Sequence, residues 1–175
     1  MAHKIPASEA RRIFVAAENF AIAHRVLVES VRESQRTIPP QVMVAAFTVE
    51  LFLKCLLVDS GAPTIPAKHD LAMLFNNLPP ATRAAIEKVW KEYRQFLKEK
   101  GDAPSDVPAK IADIFAKCAN YFDDWRFYFE HAKSTLTLDS TPVAALGVLH
   151  VFILRLHPDW KQDSDQYFLS TFPVP

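Results

Sequence analysis

Residues 42–61 read Val-Met-Val-Ala-Ala-Phe-Thr-Val-Glu-Leu-Phe-Leu-Lys-Cys-Leu-Leu-Val-Asp-Ser-Gly. The run is apolar almost all the way round a helix, which places it at the centre of a core rather than at its edge. Gly61 stands where a helix end favours a left-handed residue, and Pro39-Pro40 breaks the chain upstream. The predicted helix therefore spans about Pro40 to Ser60. Glu50 and Lys54 interrupt it, in the favourable Glu-to-Lys order for a pair one turn apart. Charges on so apolar a helix need partners if they are buried. Two readings follow: a buried ion pair that sets the register of a bundle, or a Glu50 that orients an active-site Arg or His.

Working outward, the first helix is predicted from about Ser8 to about Arg36. Ile13, Phe14, Ala17, Phe20, Ala21, His24, Leu27, Val28 and Val31 recur at helical spacing. Arg11, Arg12, Glu18, Arg25, Glu29, Arg32 and Glu33 are assigned to the opposite, solvated side. Downstream, a Pro-rich loop covers 61–68, and Asp70 caps a short helix from Leu71 to Leu78. Pro79-Pro80 opens the next helix, which Gly101 stops; Ile86, Val89, Trp90, Tyr93, Phe96 and Leu97 form its inner face. Its outer side carries six Lys/Arg against three Glu between Arg83 and Lys100, the most basic patch of the chain. Asp106 is a cap for a fifth helix, about Pro108 to Phe122 with a continuation to His131. Residues 134–140 are β-leaning and expected to be extended. A last apolar helix runs from Thr141 to about Leu156. The expected fold is all-α: an antiparallel helical bundle of about five long helices plus a short one. Residues 1–158 form a single helical domain, and 159–175 an irregular tail whose Tyr167, Phe168 and Phe172 pack on the body.

Composition bounds the function. A length of 175 residues suits one domain, and a half-apolar composition excludes disorder as the global state. Twenty basic residues balance twenty acidic ones, which argues against a generally basic nucleic-acid binder and leaves room for a local patch. Three glycines against thirteen prolines exclude a Gly-rich phosphate loop, so any nucleotide contact must come from side chains on helices. The N-terminus has no apolar core of a secretory signal. Neither Val42 to Val58 nor Pro142 to Leu156 offers the roughly 20 clean apolar residues of a bilayer span. The expectation is a cytoplasmic protein with no membrane contact, in which Cys55 and Cys118 are buried free thiols.

Few residues have the pattern of chemistry. His69-Asp70 has the form of a phosphohydrolase metal dyad, but that chemistry needs further ligands that the sequence does not supply, so no metal is expected. The densest cluster is Asp123-Asp-Trp-Arg-Phe-Tyr-Phe-Glu-His131. Arg126 and His131 stand about 140° apart around a helix at roughly 100° per residue. One chain would not aim both at a single point, whereas a two-fold dimer brings two copies together. In the structural alternative, Arg126 pairs with Glu130 one turn on and the aromatics are core.

Three segments together resemble the HEPN family (higher eukaryote and prokaryote nucleotide-binding domains). Ala45-Ala-Phe-Thr-Val-Glu-Leu-Phe-Leu-Lys-Cys-Leu-Leu followed by Gly61 is similar to the family's Glu-Leu-x-Leu-Lys-x-Leu-Leu helix. Lys68-His-Asp-Leu-Ala-Met-Leu-Phe is similar to its His-x-Leu-x-x-Leu segment. Phe122-Asp-Asp-Trp-Arg-Phe-Tyr-Phe-Glu is similar to its Trp-Arg-Tyr-x-Tyr-Glu segment. The resemblance spans roughly residues 10–155 and implies a helical bundle that forms homodimers. Many members are metal-independent ribonucleases with an Arg-x4-6-His motif, acting as toxins or in phage defence. It implies Arg126 and His131 as catalytic residues, with Glu50, Lys54, His69 and Glu130 supporting or orienting them. It implies RNA or nucleotide as ligand, an antitoxin protein as a further partner, and no cofactor. The alternative it carries is a non-catalytic module that binds nucleotide, RNA or protein.

Overall fold

The computed structural model describes residues 7–31, 37–101, 107–121 and 141–163. They form an all-α bundle, with no strand among the described residues. The elements are α1 (Ala7–Val31), α2 (Ile38–Asp59), α3 (Leu71–Asn76), α4 (Pro80–Lys100), α5 (Ile111–Lys117), α6 (Thr141–Leu156) and a 3-10 helix (Pro158–Asp163). Helix α2 lies at the centre: α1 packs along one side of it and α6 against another, while α4 and α5 close over α6.

The apolar circumference of α2 explains this position. Val42, Val49, Phe52, Leu53, Cys55, Leu56, Leu57 and Val58 are all buried, and they do not share one narrow stripe. A helix of this kind is stable only when neighbours cover it on several sides. By length and mean hydropathy (1.9) α2 also qualifies as a bilayer span, contrary to the expectation that no stretch does. Two-thirds of its apolar window is buried inside the protein, so that surface is already spent on the core.

Helix ends follow local chemistry with instructive exceptions. Helix α2 begins at Ile38, before the prolines expected to precede it. Both prolines fit into its first turn, where the missing N–H would have had no partner within the helix. At its other end Gly61 has φ 80°, and the amides of Gly61 and Ala62 donate to Val58 and Leu57 carbonyls (2.9 and 3.0 Å), a Schellman closure. Gly101 ends α4 with φ 76°. Asp70 caps α3 as expected, accepting from the Met73 amide at 2.9 Å.

Helix α5 departs most from expectation. It starts at Ile111 rather than Pro108 and ends at Lys117, followed by a turn at 118–120. Its N-cap position is Lys110, which makes no side-chain cap; Asp106 lies outside the described residues. Glu87 of α4 does the capping instead, its two carboxylate oxygens accepting from the Ile111 and Ala112 amides at 3.1 and 3.2 Å. Trp90, one turn along α4, donates its indole N–H to the Pro108 carbonyl (3.2 Å), and Arg94 donates to that of Ala109 (3.3 Å). One side of α4 therefore supplies the start of α5 that its own sequence lacks.

Four further assignments are corrected. Glu18, expected on the solvated side of α1, is buried, whereas Phe20 and Val28, expected inside, are exposed. The tail does not begin as an irregular chain: Pro158–Asp163 is a 3-10 helix whose Trp160 is buried against Phe14 and stacks on His157 at 3.9 Å. The remaining tail and the extended segment 134–140 lie outside the described residues. The tertiary cap is testable. Glu87→Ala is expected to lower stability by about 1–2 kcal/mol, a loss of roughly 2–8 °C in Tm. The exposed Glu99→Ala is expected to change it by less than about 0.5 kcal/mol. Thermal melts of the two variants followed by circular dichroism check the difference.

Candidate functional site

Glu50 is fully buried at the middle of α2. Its Oε1 accepts from Lys54 Nζ at 2.6 Å, one turn on, and its Oε2 lies 2.7 Å from His69 Nδ1. The side chains of Glu50, Lys54 and His69 are 1%, 16% and 32% exposed, so the cluster opens toward solvent through its histidine. The sequence predicts a pair here, and the structure brings in a third member from the loop after α2.

The backbone around His69 is held on both sides. Asp70 turns its carboxylate to the Met73 amide, and the Leu71 amide donates to the Ala119 carbonyl at 3.0 Å. One oxygen of Asp70 is committed to the start of its own helix. Among the described residues no three His, Cys, Asp or Glu side chains converge as a metal site requires. An ionised carboxylate only accepts, so the proton between Glu50 and His69 belongs on Nδ1. A neutral His69 in this tautomer carries its lone pair on Nε2.

Energetically the cluster is a buried charge with its compensation. A lone carboxylate at this depth would cost several kcal/mol; the Lys54 ammonium and the imidazole N–H offset that cost. Arg126, Glu130 and His131 lie outside the described residues.

One buried polar contact was not anticipated. His150 of α6 sets Nε2 3.0 Å from Glu18 Oε1 of α1, with both side chains buried, and its ring lies parallel to Phe14. The signal was present in the sequence: a histidine inside an apolar helix needs a polar partner, as Glu50 does. His24, on the inner stripe of α1 as its spacing predicts, is buried, and its Nε2 has no hydrogen-bond partner among the described residues. Burial holds the ring neutral, its pKa lowered to about 4. The cysteines are free and buried as expected; Cys55 Sγ donates to the Ala10 carbonyl at 3.3 Å, and burial, with Asp59 nearby, pushes its thiol pKa up. No family model matches the chain, and no curated protein or solved structure does.

Two measurements test these buried groups. Glu50→Ala leaves Lys54 without its counter-charge and is expected to cost about 3 kcal/mol. The double variant Glu50→Leu/Lys54→Met is expected to recover much of that loss, because an apolar pair needs no compensation; urea denaturation of both variants decides. For His24 the folded pKa lies below the unfolded value, so the unfolded state binds the proton first and stability falls with acid. The loss is expected to develop from about pH 6.5 down to about pH 4 and to reach about 3 kcal/mol. His24→Leu is expected to flatten that part of the stability–pH curve, read from urea midpoints across the range.

Proposed function

We propose that the chain is a HEPN-like ribonuclease of the toxin or defence type, acting in the cytoplasm and cutting RNA without a metal. The observation that supports this reading is the meeting of Glu50 and His69, which come from two of the three segments that carry the resemblance and stand 19 residues apart. In this reading Glu50 and Lys54 hold His69 and the start of α3 in place.

The chemistry is internal transesterification. The 2′-oxygen bonds to the adjacent phosphorus as the phosphorus–5′-oxygen bond breaks; His131 is the base that takes the 2′-OH proton or the acid that protonates the leaving 5′-oxygen, and water fills the other role. The products are a 2′,3′-cyclic phosphate and a 5′-hydroxyl end. Arg126 holds the non-bridging phosphate oxygens and stabilises the charge that builds on them. A two-fold homodimer would bring two copies of the Arg126/His131 segment together, with an antitoxin protein as the partner that restrains the activity.

A second reading, a non-catalytic module that binds nucleotide, RNA or a protein, is favoured by the occupancy of Glu50. Both of its carboxylate oxygens are used inside the fold, at 2.6 and 2.7 Å, as a structural brace would use them. The two readings give different results with purified protein and RNA. Cleavage predicts cutting that resists EDTA and leaves cyclic phosphate ends, falling at least about 100-fold in Arg126→Ala or His131→Ala with the fold intact. RNA that is bound but left whole by the wild-type chain supports the binding module.

A further inference from the structure

The outer side of α4 is the most basic surface of the chain, with six Lys/Arg against three Glu between Arg83 and Lys100. The structure sharpens that imbalance, because each carboxylate is engaged. Glu87 is turned to the start of α5, where both its oxygens accept from backbone amides. Glu92 pairs with Arg155 of α6 at 2.6 Å. Glu99, near the helix end, accepts from Gln95 at 2.8 Å. Lys88, Lys91 and Lys98 are exposed, and none of them pairs with a carboxylate among the described residues.

These lysines form one row. At about 100° per residue, Lys88, Lys91, Gln95 and Lys98 fall within an arc of about 80°, and no acidic residue lies inside it. From Lys88 to Lys98 the row is about 15 Å long at about 1.5 Å per residue. Arg94 flanks it and donates to the Ala109 carbonyl at 3.3 Å, which sets the exposed Lys110 at the edge of the row. Against these cations α5 places one exposed acid, Asp113.

The character of the row selects its partner. None of the large apolar side chains exposed among the described residues lies on α4 or α5. A protein interface is built on aromatic and apolar anchors and is poor in lysine, so this face lacks the core of one. A helix that lies on a membrane likewise needs an apolar side to enter the lipid. Lysines on long stems fit a flexible line of phosphates, each met as a point charge. With no aromatic in the row, bases have no platform to stack on, so the contact is with the backbone and is blind to sequence. A net charge of zero makes the attraction local, held by this face and not by the molecule as a whole.

We infer that the outer face of α4 is a binding surface for the sugar–phosphate backbone of RNA. Lys88, Lys91, Lys98 and Lys110 are its phosphate contacts. The inference rests on the reading of the chain as a protein that cuts or binds RNA, and adds where the strand lies away from any reacting phosphate. Binding along α4 needs neither Arg126 nor His131, so it and cleavage can fail separately.

Fluorescence anisotropy of the full chain with a labelled 2′-O-methyl oligouridine of about 20 nucleotides tests it. That probe carries the phosphates but no free 2′-hydroxyl, so transesterification cannot cut it. The wild type is expected to bind with a slope of log K against log salt of about −3, from four contacts at about −0.7 each. Lys88→Gln/Lys91→Gln is expected to bind at least about tenfold more weakly at about 0.05 M salt and to flatten the slope by about 1.4, with circular dichroism unchanged. Lys88→Arg/Lys91→Arg keeps both charges and is expected to stay within about threefold of the wild type. Arg12→Glu, on α1, is expected to stay within about twofold. A wild type that binds no probe, or a double Gln variant with the wild-type slope, overturns the inference. So does a loss in Arg12→Glu as large as that of the lysine pair. Polyglutamate that displaces the probe as well as unlabelled RNA does would also overturn it, and would give the face to an acidic protein. RNA held through these lysines but never cut leaves the inference standing while the ribonuclease reading falls.

Discussion

The carboxylate of Glu50 sits at the middle of a helix with almost no solvent face, and the surrounding structure is arranged to make that position tolerable. Its two oxygens are divided between Lys54, one turn along the same helix, and His69, on the far side of a Pro-rich loop. The first bond is local and asks little of the fold. The second requires the chain after Gly61 to return along α2 before α3 begins. The buried charge thereby constrains the path of 62–70, and the Asp70 cap and the Leu71–Ala119 bond hold the return in place. Apolar residues there would pack with less difficulty. What the ionic cluster adds is direction: a histidine presented at the edge of the core with its Nδ1 side fixed.

The same logic recurs wherever polar groups enter the bundle. Glu18 and His150 join α1 to α6 through the core. Glu87 reaches from α4 to start α5, and the Trp90 indole closes the same gap. At the chain's later end, His157 lies 3.1 Å from Asp59 of α2, and Arg155 pairs with Glu92 of α4 at 2.6 Å. These contacts link elements far apart in sequence. Dispersion and burial hold the bundle together, but they leave helices free to slide and rotate; the polar contacts select one arrangement.

His24 stands apart because its Nε2 gains no such partner among the described residues. It places a group that prefers to charge near neutrality in a site that keeps it neutral. The cost appears only in acid, where the unfolded chain takes up a proton that the folded one refuses. Helix α1 thus has two contrasting sides, one with buried polar groups against the core and one with apolar groups left outside.

The amino-acid sequence alone determined the all-α class, the central place of α2, the span of α4, the glycine stops at Gly61 and Gly101, and the Asp70 cap. Each rests on a local rule: an apolar circumference, a left-handed residue at a helix end, a side chain within reach of its own first turn. It also marked Glu50 with Lys54 as a pair, because four residues on a helix is a fixed distance. Only the tertiary structure decided that His69 completes that pair, that Glu87 rather than a neighbour of Ile111 caps α5, and that Glu18 turns inward while Phe20 turns out. On α1 the apolar and charged positions overlap around the helix, and which side is buried depends on where α2 and α6 lie. Those contacts join residues 19 or more apart in sequence, and their distance is set by how the helices pack rather than by the geometry of any one of them.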